Sequence, residues 1–312
     1  MKRTLGLLAG SAAALLVVSA CGQSGAADSA GVGSRNPDTL VFAAVPSEES
    51  DSLKAGFDPI IAMIEEETGK TIEFQNATDY AAVIEGMRAG KVDIAQFGPF
   101  SYVLARNQGV QVTPVAAQVD GPGEEPGYQS YGIVPAGSPI TDLAGYRGKK
   151  VCFVDPSSTS GYLYPTAGLL EAGIDPTKDI EPIFAGGHDA SVLAVKSGQC
   201  DAGFAYDSIV DSQLIEKGSL QPGEITTLWK SETIPGSPMA IADDLDPELK
   251  NTLTRLIAEQ ANVDYLKVNG FCAADCKLGD EDSWGYKAVD DALYNGVRKV
   301  CEVTKNESCT QV

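Results

Sequence analysis

The sequence has a single histidine, His188, and few basic residues. Its 312 residues include 23 Lys and Arg against 43 Asp and Glu, which gives a formal net charge of −20. A protein that binds nucleic acid needs a basic surface, so this balance argues against that class. A hydrolytic enzyme needs a nucleophile with a base and an orienting group, or a metal held by several ligands. One histidine with no obvious ligand cluster therefore argues against catalysis.

Long apolar runs are also missing after the N-terminus, where no segment reaches the roughly 18 apolar residues of a transmembrane helix. At the N-terminus itself, Lys2 and Arg3 precede a short apolar segment at residues 5–18. This pattern is typical of a secretory signal peptide. We therefore expect residues 1–20 to be removed during export.

The signal segment ends in Val18-Ser-Ala-Cys21, which resembles the bacterial lipobox, where lipid is attached to the cysteine sulfur before cleavage ahead of it. The alternative is an ordinary signal peptide with an incidental cysteine. The Gly/Ala/Ser-rich stretch that follows favours the lipoprotein, because residues 21–38 then form a flexible tether. We expect Cys21 to anchor the protein on the extracytoplasmic side of the cell membrane.

Six cysteines remain after Cys21: Cys152, Cys200, Cys272, Cys276, Cys301 and Cys309. An even number in an exported chain indicates disulfides, although the connectivity stays open. Short spacing favours Cys272–Cys276 and Cys301–Cys309, which leaves Cys152–Cys200. A metal cluster is the alternative, but Cys272 and Cys276 have no second ligand pair of suitable spacing. We expect no metal and no other cofactor.

Two stretches of the chain, residues 81–95 and 189–203, resemble each other at an offset of 108 residues. Each has the apolar spacing of a helix, a basic residue near the helix end, a glycine suited to a left-handed cap, and then a short strand. Upstream of each lies an apolar strand that ends at a proline, at residues 40–45 and 150–155. Strands that alternate with helices indicate parallel sheets with crossover helices, and chance similarity is the alternative.

This repeat predicts an α/β fold of two lobes. Lobe one would comprise residues 39–132 together with the tail, 238–312, and lobe two residues 138–229. Two extended crossings, at residues 131–135 and 229–238, would form the hinge. Ligands of open α/β sheets bind beyond the carboxyl ends of the strands, so we expect a ligand in the cleft between the lobes.

The turn Asp155-Pro-Ser-Ser-Thr-Ser-Gly161 follows an apolar strand and precedes a helical run. Ser158, Thr159 or Ser160 can cap that helix, whose free N–H groups can bind an oxyanion without any formal positive charge. Local dipoles are needed for this, because the chain without its signal peptide has 21 basic and 43 acidic residues, a net charge of −22. The alternative is a plain cap that serves only the helix.

Tyr80 and His188 are also 108 residues apart, each directly before the helix of its repeat. We expect both to face the cleft, although a lone histidine is also compatible with a structural role. Asp207 comes just beyond the carboxyl end of a lobe-two strand. Its carboxylate could accept a hydrogen bond from a protonated oxyanion or hold a cationic group, and a surface carboxylate is the alternative.

Four motifs carry a resemblance to a known family. They are TDYAAVIEGMR at residues 78–88, GPFSY at 98–102, STSG at 158–161 and GGHDAS at 186–191. In this order they resemble the phosphate/phosphite/phosphonate-binding proteins of ABC transporters, over about residues 40 to 256. The resemblance implies the two-lobed type II periplasmic-binding-protein fold. It also implies that hydroxyl and imidazole groups of both lobes hold the ligand: Tyr80, Tyr128, Ser158, Thr159, Ser160 and His188.

The chain departs from this family in two places. Members that bind aminoalkylphosphonates carry an acidic residue in an Ile-Pro-Gly-x-Pro segment, where this chain has Ser237. Those members also carry a carboxylate one position later than Asp207. Of the two acidic residues that would hold the ammonium group of such a ligand, one is thus missing and the other is shifted. This favours a ligand without an amine, such as phosphite, phosphate or methylphosphonate. The cysteine-containing tail from about residue 262 leaves its own fold open.

Together these observations predict an extracytoplasmic solute-binding lipoprotein of an ABC importer that binds a small phosphorus oxyanion. Its expected partners are that anion, the permease and, through lipid alone, the membrane; we expect a monomer with no nucleic-acid partner. The alternative is a surface lipoprotein that senses or binds another small anion, such as sulfate or a carboxylate. Helix N-termini bind those anions too, so the sequence leaves the ligand open.

Overall fold

A computed structural model of the chain describes residues 34–273, 276–306 and 309. The predicted signal peptide, Cys21 and the tether up to residue 33 lie outside these residues. Within them, no helix has both the length and the apolar character that a membrane span requires.

The strands form two large sheets and one short two-stranded ladder. In the described part of the chain they are β1 (Thr39–Ala44), β2 (Thr71–Asn76), β3 (Ile94–Gln96), β4 (Val112–Val119), β5 (Gly127–Tyr128), β6 (Ser130–Pro135), β7 (Lys150–Phe153), β8 (Glu181–Phe184), β9 (Ala202–Tyr206), β10 (Ile225–Lys230), β11 (Ile234–Pro235), β12 (Pro238–Ala242) and β13 (Gly285–Ala288).

The α-helices lie mainly between these strands. They are α1 (Ser50–Thr68), α2 (Tyr80–Arg88), α3 (Pro99–Asn107), α4 (Tyr164–Glu171), α5 (His188–Lys196), α6 (Leu214–Glu216), α7 (Pro247–Arg255), α8 (Val263–Val268) and α9 (Asn295–Thr304). Their starts follow local chemistry: the Asp79 carboxylate accepts a hydrogen bond from the Ala82 N–H (2.8 Å) at the start of α2. Pro99 occupies the first position of α3, where its missing N–H costs nothing.

The first sheet has the strand order β13-β4-β12-β3-β1-β2. β1 pairs in parallel with β2 and β3, and helices α1 and α2 make the crossovers between these strands. β12 and β13 come from the C-terminal part of the chain and join the same sheet antiparallel to their neighbours. β1, which lies between β3 and β2, buries Phe42 and Ala43 on its two opposite faces (0% and 2% exposed), as expected for a strand with helices on both faces.

The second sheet has the order β10-β6-β9-β7-β8, and β7 pairs in parallel with β8 and β9. The arrangement β2-β1-β3 of the first sheet therefore recurs as β8-β7-β9. The sequence offset of 108 residues corresponds to this repeated arrangement. From here on, lobe one is the part built on the first sheet and lobe two the part built on the second.

Asp93 and Asp201 occupy the same place in the two copies of the repeat, just before the last strand of each copy, and they have the same structural role. The Asp93 carboxylate accepts a hydrogen bond from the Val41 N–H of β1 (2.8 Å), and Asp201 accepts one from the Lys150 N–H of β7 (2.9 Å). Each carboxylate thus extends the pairing of two parallel strands by one bond. The repeated aspartates have a structural role at the amino ends of the strands, away from the cleft.

The first predicted crossing is placed wrongly. Residues 131–135 lie within β6, which pairs with β9 and β10 in the second sheet. The chain passes between the lobes earlier, at β5, and returns at β11; these two short strands pair antiparallel, with Ile234 opposite Tyr128. A crossing segment and a strand of a sheet are both extended and apolar. They differ in whether distant strands pair with them, and the local sequence does not reveal such partners.

Three disulfides join the same pairs that the spacing favours: Cys152–Cys200, Cys272–Cys276 and Cys301–Cys309. Their Cα–Cα distances are 5.8, 5.7 and 5.8 Å, within the usual range for a bridge. Cys152 and Cys200 are completely buried. Their bridge ties β7 to the segment that leads into β9, at the amino end of that strand.

Candidate ligand-binding site

A small cavity lies between the two lobes, at the carboxyl ends of the parallel strands. Its walls include six of the predicted ligand-binding residues: Tyr80, Tyr128, Ser158, Thr159, Ser160 and His188. The other lining residues are Val45, Ser47, Gly98, Tyr206, Ser237, Asp280 and Glu281. The cavity has a volume of about 10 Å³, so it suits a compact group rather than a long chain.

The serine and threonine turn forms one wall of the cavity. After β7 the chain turns into a helix that begins with a π-helical turn, Thr159–Leu163, and continues as α4. The Ser158 hydroxyl accepts a hydrogen bond from the Gly161 N–H (3.1 Å). A side chain at Gly161 would come within 2.4 Å of Val154, which explains the glycine of the motif.

This turn places polar groups at a helix start inside the protein. Ser158, Thr159 and Ser160 are at most 2% exposed. The first N–H groups of a helix have no acceptor within the helix, and they point out from its N-terminus. The wall can therefore offer hydroxyl and N–H donors to an anion without a formal positive charge.

His188 is the first residue of α5 and is held in one orientation. Its Nδ1 atom accepts a hydrogen bond from the Tyr206 N–H (3.1 Å), and its Nε2 atom lies 3.4 Å from the Ser158 hydroxyl oxygen. Because Nδ1 is an acceptor, the neutral ring carries its proton on Nε2. Burial lowers the pKa of His188 to about 3. The side chain is therefore a neutral N–H donor at physiological pH.

Two tyrosines complete the donor set from the lobe-one side. Tyr80 is the first residue of α2, and Tyr128 lies in β5; they are 2% and 9% exposed. Burial raises the pKa of both hydroxyls well above the usual value. Both hydroxyls stay protonated and can donate. Tyr80 and His188 thus occupy equivalent positions in the two lobes, as the repeat predicts.

Hydrogen bonds between protein groups join the lobes beside the cavity. The Phe100 N–H of lobe one donates to Thr159 Oγ1 of lobe two (2.8 Å). In the other direction, the His188 N–H donates to the Ser47 carbonyl oxygen (2.7 Å). Two of the predicted ligand-binding residues therefore also hold the lobes together.

A second set of contacts also joins the two lobes. The Tyr206 hydroxyl of lobe two donates to the Asp280 carbonyl oxygen (2.9 Å), although the two residues are 74 positions apart. The Lys217 ammonium and the buried Glu48 carboxylate also form an ion pair between the lobes. Burial raises the pKa of Glu48 to about 7.

The structure does not bring Asp207 to this cavity. Its carboxylate accepts hydrogen bonds from the N–H groups of Gln129 (3.0 Å) and Ser208 (3.1 Å). It lines a neighbouring depression, which shares only Tyr128 and Glu281 with the cavity. Burial raises the pKa of Asp207 to about 6. The sequence identifies the strand end correctly but cannot show which way the side chain turns.

Sequence reasoning missed a turn of the tail that enters the cavity, the acidic turn Leu278–Ser283. Leu278 and Ser283 exchange backbone hydrogen bonds (3.0 and 2.9 Å), and the Gly279 N–H donates to a carbonyl of α1 (2.9 Å). At its tip, Asp280 and Glu281 line the cavity. Asp280 is 5% exposed, and burial raises its pKa to about 6. The run of three acidic residues was the available signal.

Glu281 also corrects the inference drawn from Ser237. The Ser237 hydroxyl donates to Glu281 Oε1 (2.6 Å), so a carboxyl group does reach this side of the cavity. It comes from the tail rather than from the Ile-Pro-Gly-x-Pro segment. Burial, followed by the charge of Asp280, raises the pKa of Glu281 well above its usual value. The absence of an acidic residue at position 237 therefore does not show whether the ligand carries an amine.

Comparison with known proteins places this cavity in a family. Residues 42–271 match the sequence model of a family described as the periplasmic substrate-binding protein of the phosphonate ABC transporter. The chain belongs to this family. It is 51% identical over 282 residues to the phosphate-import protein PhnD of Mycolicibacterium smegmatis, a match that covers 88% of each chain.

Solved structures share the fold. A binding-protein component of an ABC phosphonate transporter from Pseudomonas aeruginosa superimposes with a TM-score of 0.74, at 26% identity and 86% coverage of both chains. PhnD1 of Prochlorococcus marinus, in complex with methylphosphonate, gives a TM-score of 0.73 at 19% identity, covering 87% of this chain and all of the other. The predicted two-lobed α/β fold is confirmed.

Family membership also fixes the class of function. The protein is an extracytoplasmic substrate-binding component of an ABC importer, not an enzyme. The family implies binding of a phosphorus compound and interaction with the permease of the transporter. The acidic turn lies beyond the residues that match the family model, so Asp280 and Glu281 belong to the part of the site that family membership leaves undefined.

Proposed function

We propose that this chain is a lipid-anchored, monomeric receptor that captures a small phosphorus oxyanion, namely phosphate, phosphite or a small phosphonate, in the interlobe cavity. The observation that carries the proposal is the convergence of neutral donors from both lobes on one small cavity. The names of two similar proteins support it, since one is a phosphate-import protein and the other is in complex with methylphosphonate. Sulfate or a carboxylate is the alternative ligand.

Binding would begin at the lobe-two wall. The anion docks on the hydroxyl and N–H groups of Ser158, Thr159 and Ser160, and the Nε2–H of His188 donates to it. Hydrogen bonds to a charged group contribute about 1.5–3 kcal/mol each, so a few such donors suffice for tight binding. The buried Ser47 hydroxyl, which has no hydrogen-bond partner among the described residues, is a further donor for the same ion.

Closure would complete the site. The lobes turn about the crossings at β5 and β11, which brings Tyr80 and Tyr128 onto the ligand. The ligand favours the closed form only by its higher affinity for that form, because an equal affinity for both would shift nothing. The contacts between Phe100 and Thr159 form in the same movement. The permease would recognise this closed shape.

A ligand panel tests the proposed function. Purified protein is heated with phosphate, phosphite, hypophosphite, methylphosphonate, aminoethylphosphonate or sulfate, and its melting temperature is recorded. A bound anion at about 100 times its dissociation constant should stabilise the fold by about 2.7 kcal/mol. We expect stabilisation by at least one phosphorus oxyanion. If only sulfate or a carboxylate raises the melting temperature, the proposal is wrong.

His188 offers a matched pair of variants. His188→Asn keeps an acceptor near Nδ1 for the Tyr206 N–H but removes the donor at Nε2, so we expect affinity for the preferred oxyanion to fall roughly 10- to 150-fold. His188→Gln places an amide N–H near the Nε2 position and should bind more tightly than the asparagine variant. Isothermal titration calorimetry measures both. Equal affinity of His188→Asn and wild type would exclude the imidazole from the site.

The lipid anchor has its own test. We propose that residues 1–20 are cleaved as a signal peptide and that Cys21 carries lipid. The predicted tether up to residue 38 is too long, because Arg35 is already bonded to Asp93 (2.8 Å) and Asp244 (2.7 Å) of lobe one, so we propose that the tether ends at residue 33. Cys21→Ser should release the protein from membranes or leave the signal uncut, whereas Ser24→Ala should stay membrane-bound. Mass spectrometry of the N-terminal peptide reports the modification. A wild-type protein with a free, unmodified N-terminal cysteine would contradict the anchor.

A further inference from the structure

Two carboxyl groups line a cavity that we propose to hold an anion, and this combination needs an explanation. Asp280 and Glu281 line the same cavity as Ser158 and His188. Two ionised carboxylates would repel an oxyanion strongly in so confined a space. Such groups are compatible with anion binding only if a hydrogen stands between each carboxyl oxygen and an oxygen of the ligand.

The position of the two carboxyl groups is fixed by the fold. The Asp280 carbonyl oxygen accepts hydrogen bonds from the Tyr206 hydroxyl (2.9 Å) and from Gln213 Nε2 (3.2 Å), both of lobe two. Glu281 Oε1 accepts one from the Ser237 hydroxyl (2.6 Å). A side chain added at Gly279 would come within 2.2 Å of Gln118 Nε2, so the turn also packs closely against lobe one. The tip of the turn is therefore held at the cavity, and each carboxyl group has a neutral partner there: Gln96 Nε2 for Asp280 (3.5 Å) and the Ser237 hydroxyl for Glu281.

Within the part of the chain that the structure describes, no cation neutralises the pair. Among the residues that the structure describes, the ion pairs involve neither Asp280 nor Glu281. The described residues that line the cavity include no Lys or Arg. The next acidic residue, Asp282, is by contrast paired with Lys277 (3.3 Å). The cost of burying Asp280 and Glu281 is therefore offset by neutral donors and by protonation rather than by basic side chains: Gln96 Nε2 donates to Asp280 Oδ1 (3.5 Å), and the Ser237 hydroxyl donates to Glu281 Oε1 (2.6 Å).

We propose that Asp280 and Glu281 are the residues that select a protonated phosphorus oxyanion and exclude sulfate. An ionised carboxylate can only accept a hydrogen bond, whereas a protonated carboxyl group can also donate one. A P–OH group donates to the carboxylate, and a second phosphorus-bound oxygen accepts from the protonated partner. Sulfate carries no proton near neutral pH and would face the carboxylate with a bare oxygen. The inference rests on the proposed function, because it assigns the specificity of the same cavity.

The electrostatics of the pair agree with this division of roles. Burial raises the pKa of Asp280 to about 6, and burial together with the charge of Asp280 raises that of Glu281 well above its usual value. Both shifts favour a protonated carboxyl group beside its neighbour, and we assign the proton to Glu281, whose Oε1 already has the Ser237 hydroxyl as a donor (2.6 Å). Asp280 is then the acceptor and Glu281 the donor. The tip of the turn presents one acceptor and one donor, as an oxyanion with a single hydroxyl requires.

Three isosteric variants test the assignment. Phosphate, methylphosphonate and sulfate are titrated calorimetrically into wild type, Asp280→Asn and Glu281→Gln at one pH near 7.5. The asparagine amide donates where the carboxylate accepts, so Asp280→Asn should weaken phosphate, strengthen sulfate and reduce the phosphate-to-sulfate affinity ratio at least roughly 10-fold. Asp282→Asn is the matched control, since it removes the same charge from the same turn but outside the cavity, and its ratio should equal that of wild type.

The outcomes separate this inference from the proposed function. If wild type binds phosphorus oxyanions and Asp280→Asn keeps the wild-type ratio, the selectivity assignment is overturned and the proposed function stands. If Asp282→Asn lowers the ratio as much as Asp280→Asn, the effect is one of net charge and the assignment is overturned as well. If wild type binds no phosphorus oxyanion, both fail. Should Asp280→Asn not fold, the pair Glu281→Gln and Glu281→Leu decides. Glutamine keeps a donor in place of the protonated carboxyl group and should bind phosphate within a few-fold of wild type, whereas leucine removes the donor and should bind phosphate roughly 10-fold more weakly. Equal phosphate affinities of these two variants would overturn the assignment.

Discussion

Replacing Thr159 by valine should weaken the binding of the preferred phosphorus oxyanion roughly 10- to 150-fold, the equivalent of a lost hydrogen bond to a charged group. Valine keeps the shape of threonine, so the loss reports the hydroxyl and not a cavity. The Thr159 oxygen also accepts the Phe100 N–H across the lobes (2.8 Å), and that donor would be left without its partner in the closed form. Isothermal titration calorimetry against phosphate and methylphosphonate measures the change.

Thr159→Ser is the matched control for this variant. It retains the hydroxyl and should bind within a few-fold of wild type, although it loses a buried methyl group. Melting temperatures without ligand show whether either variant is destabilised. Wild-type affinity in Thr159→Val would mean that the anion does not bind at the start of the helix, and the serine and threonine turn would then be a cap alone.

Removing the Cys152–Cys200 disulfide should have the largest effect on stability. The bridge closes a loop with a sequence separation of 48, and loop-closure entropy then predicts a loss of about 4 kcal/mol in the free energy of unfolding. Both cysteines are completely buried, so the double variant Cys152→Ala/Cys200→Ala loses packing in addition. Denaturant unfolding, monitored by fluorescence, measures the shift in midpoint.

The tail supplies the comparison. Cys272 and Cys276 are only four positions apart, and the same relation predicts a loss of about 2 kcal/mol when both are replaced by alanine. The lobe-two bridge should thus cost about twice as much to remove. Equal losses for the two double variants would contradict the loop-closure argument. They would indicate that the bridge of lobe two acts through strain or packing instead.

The sequence predicts the parts of this site that depend on local patterns. Tyr80 and His188 were identified because each directly precedes a helix of the repeat, and both are first residues of those helices in the structure. The Ser158–Ser160 turn was identified because a buried strand, a run of hydroxyl residues and a glycine leave few other conformations. Within each lobe, periodicity and caps are enough to find the strand ends.

The predictions that were missing or wrong concern residues whose positions depend on contacts with other segments of the chain. Asp280 reaches the cavity because the preceding Gly279 packs against Gly56 and Gln118 of lobe one, far away in the sequence, and no periodicity in the tail indicates that contact. Asp207 is at the expected strand end, but two backbone N–H groups next to it turn its carboxylate away. Residues 131–135 are extended, as predicted, yet their partner strands make them part of a sheet.

The lack of Lys and Arg among the described cavity residues has a consequence for the speed of capture. The chain as a whole has a net charge of −20, so an approaching anion meets repulsion at a distance and finds attraction only at hydrogen-bonding range. The screening length shrinks from about 30 Å at 0.01 M salt to about 8 Å at 0.15 M. Added salt should therefore accelerate association, whereas it slows receptors that steer their anions with basic residues. Dissociation breaks only short-range contacts, so its rate should change little with salt. The receptor would therefore capture its anion faster at 0.15 M salt than at 0.01 M salt.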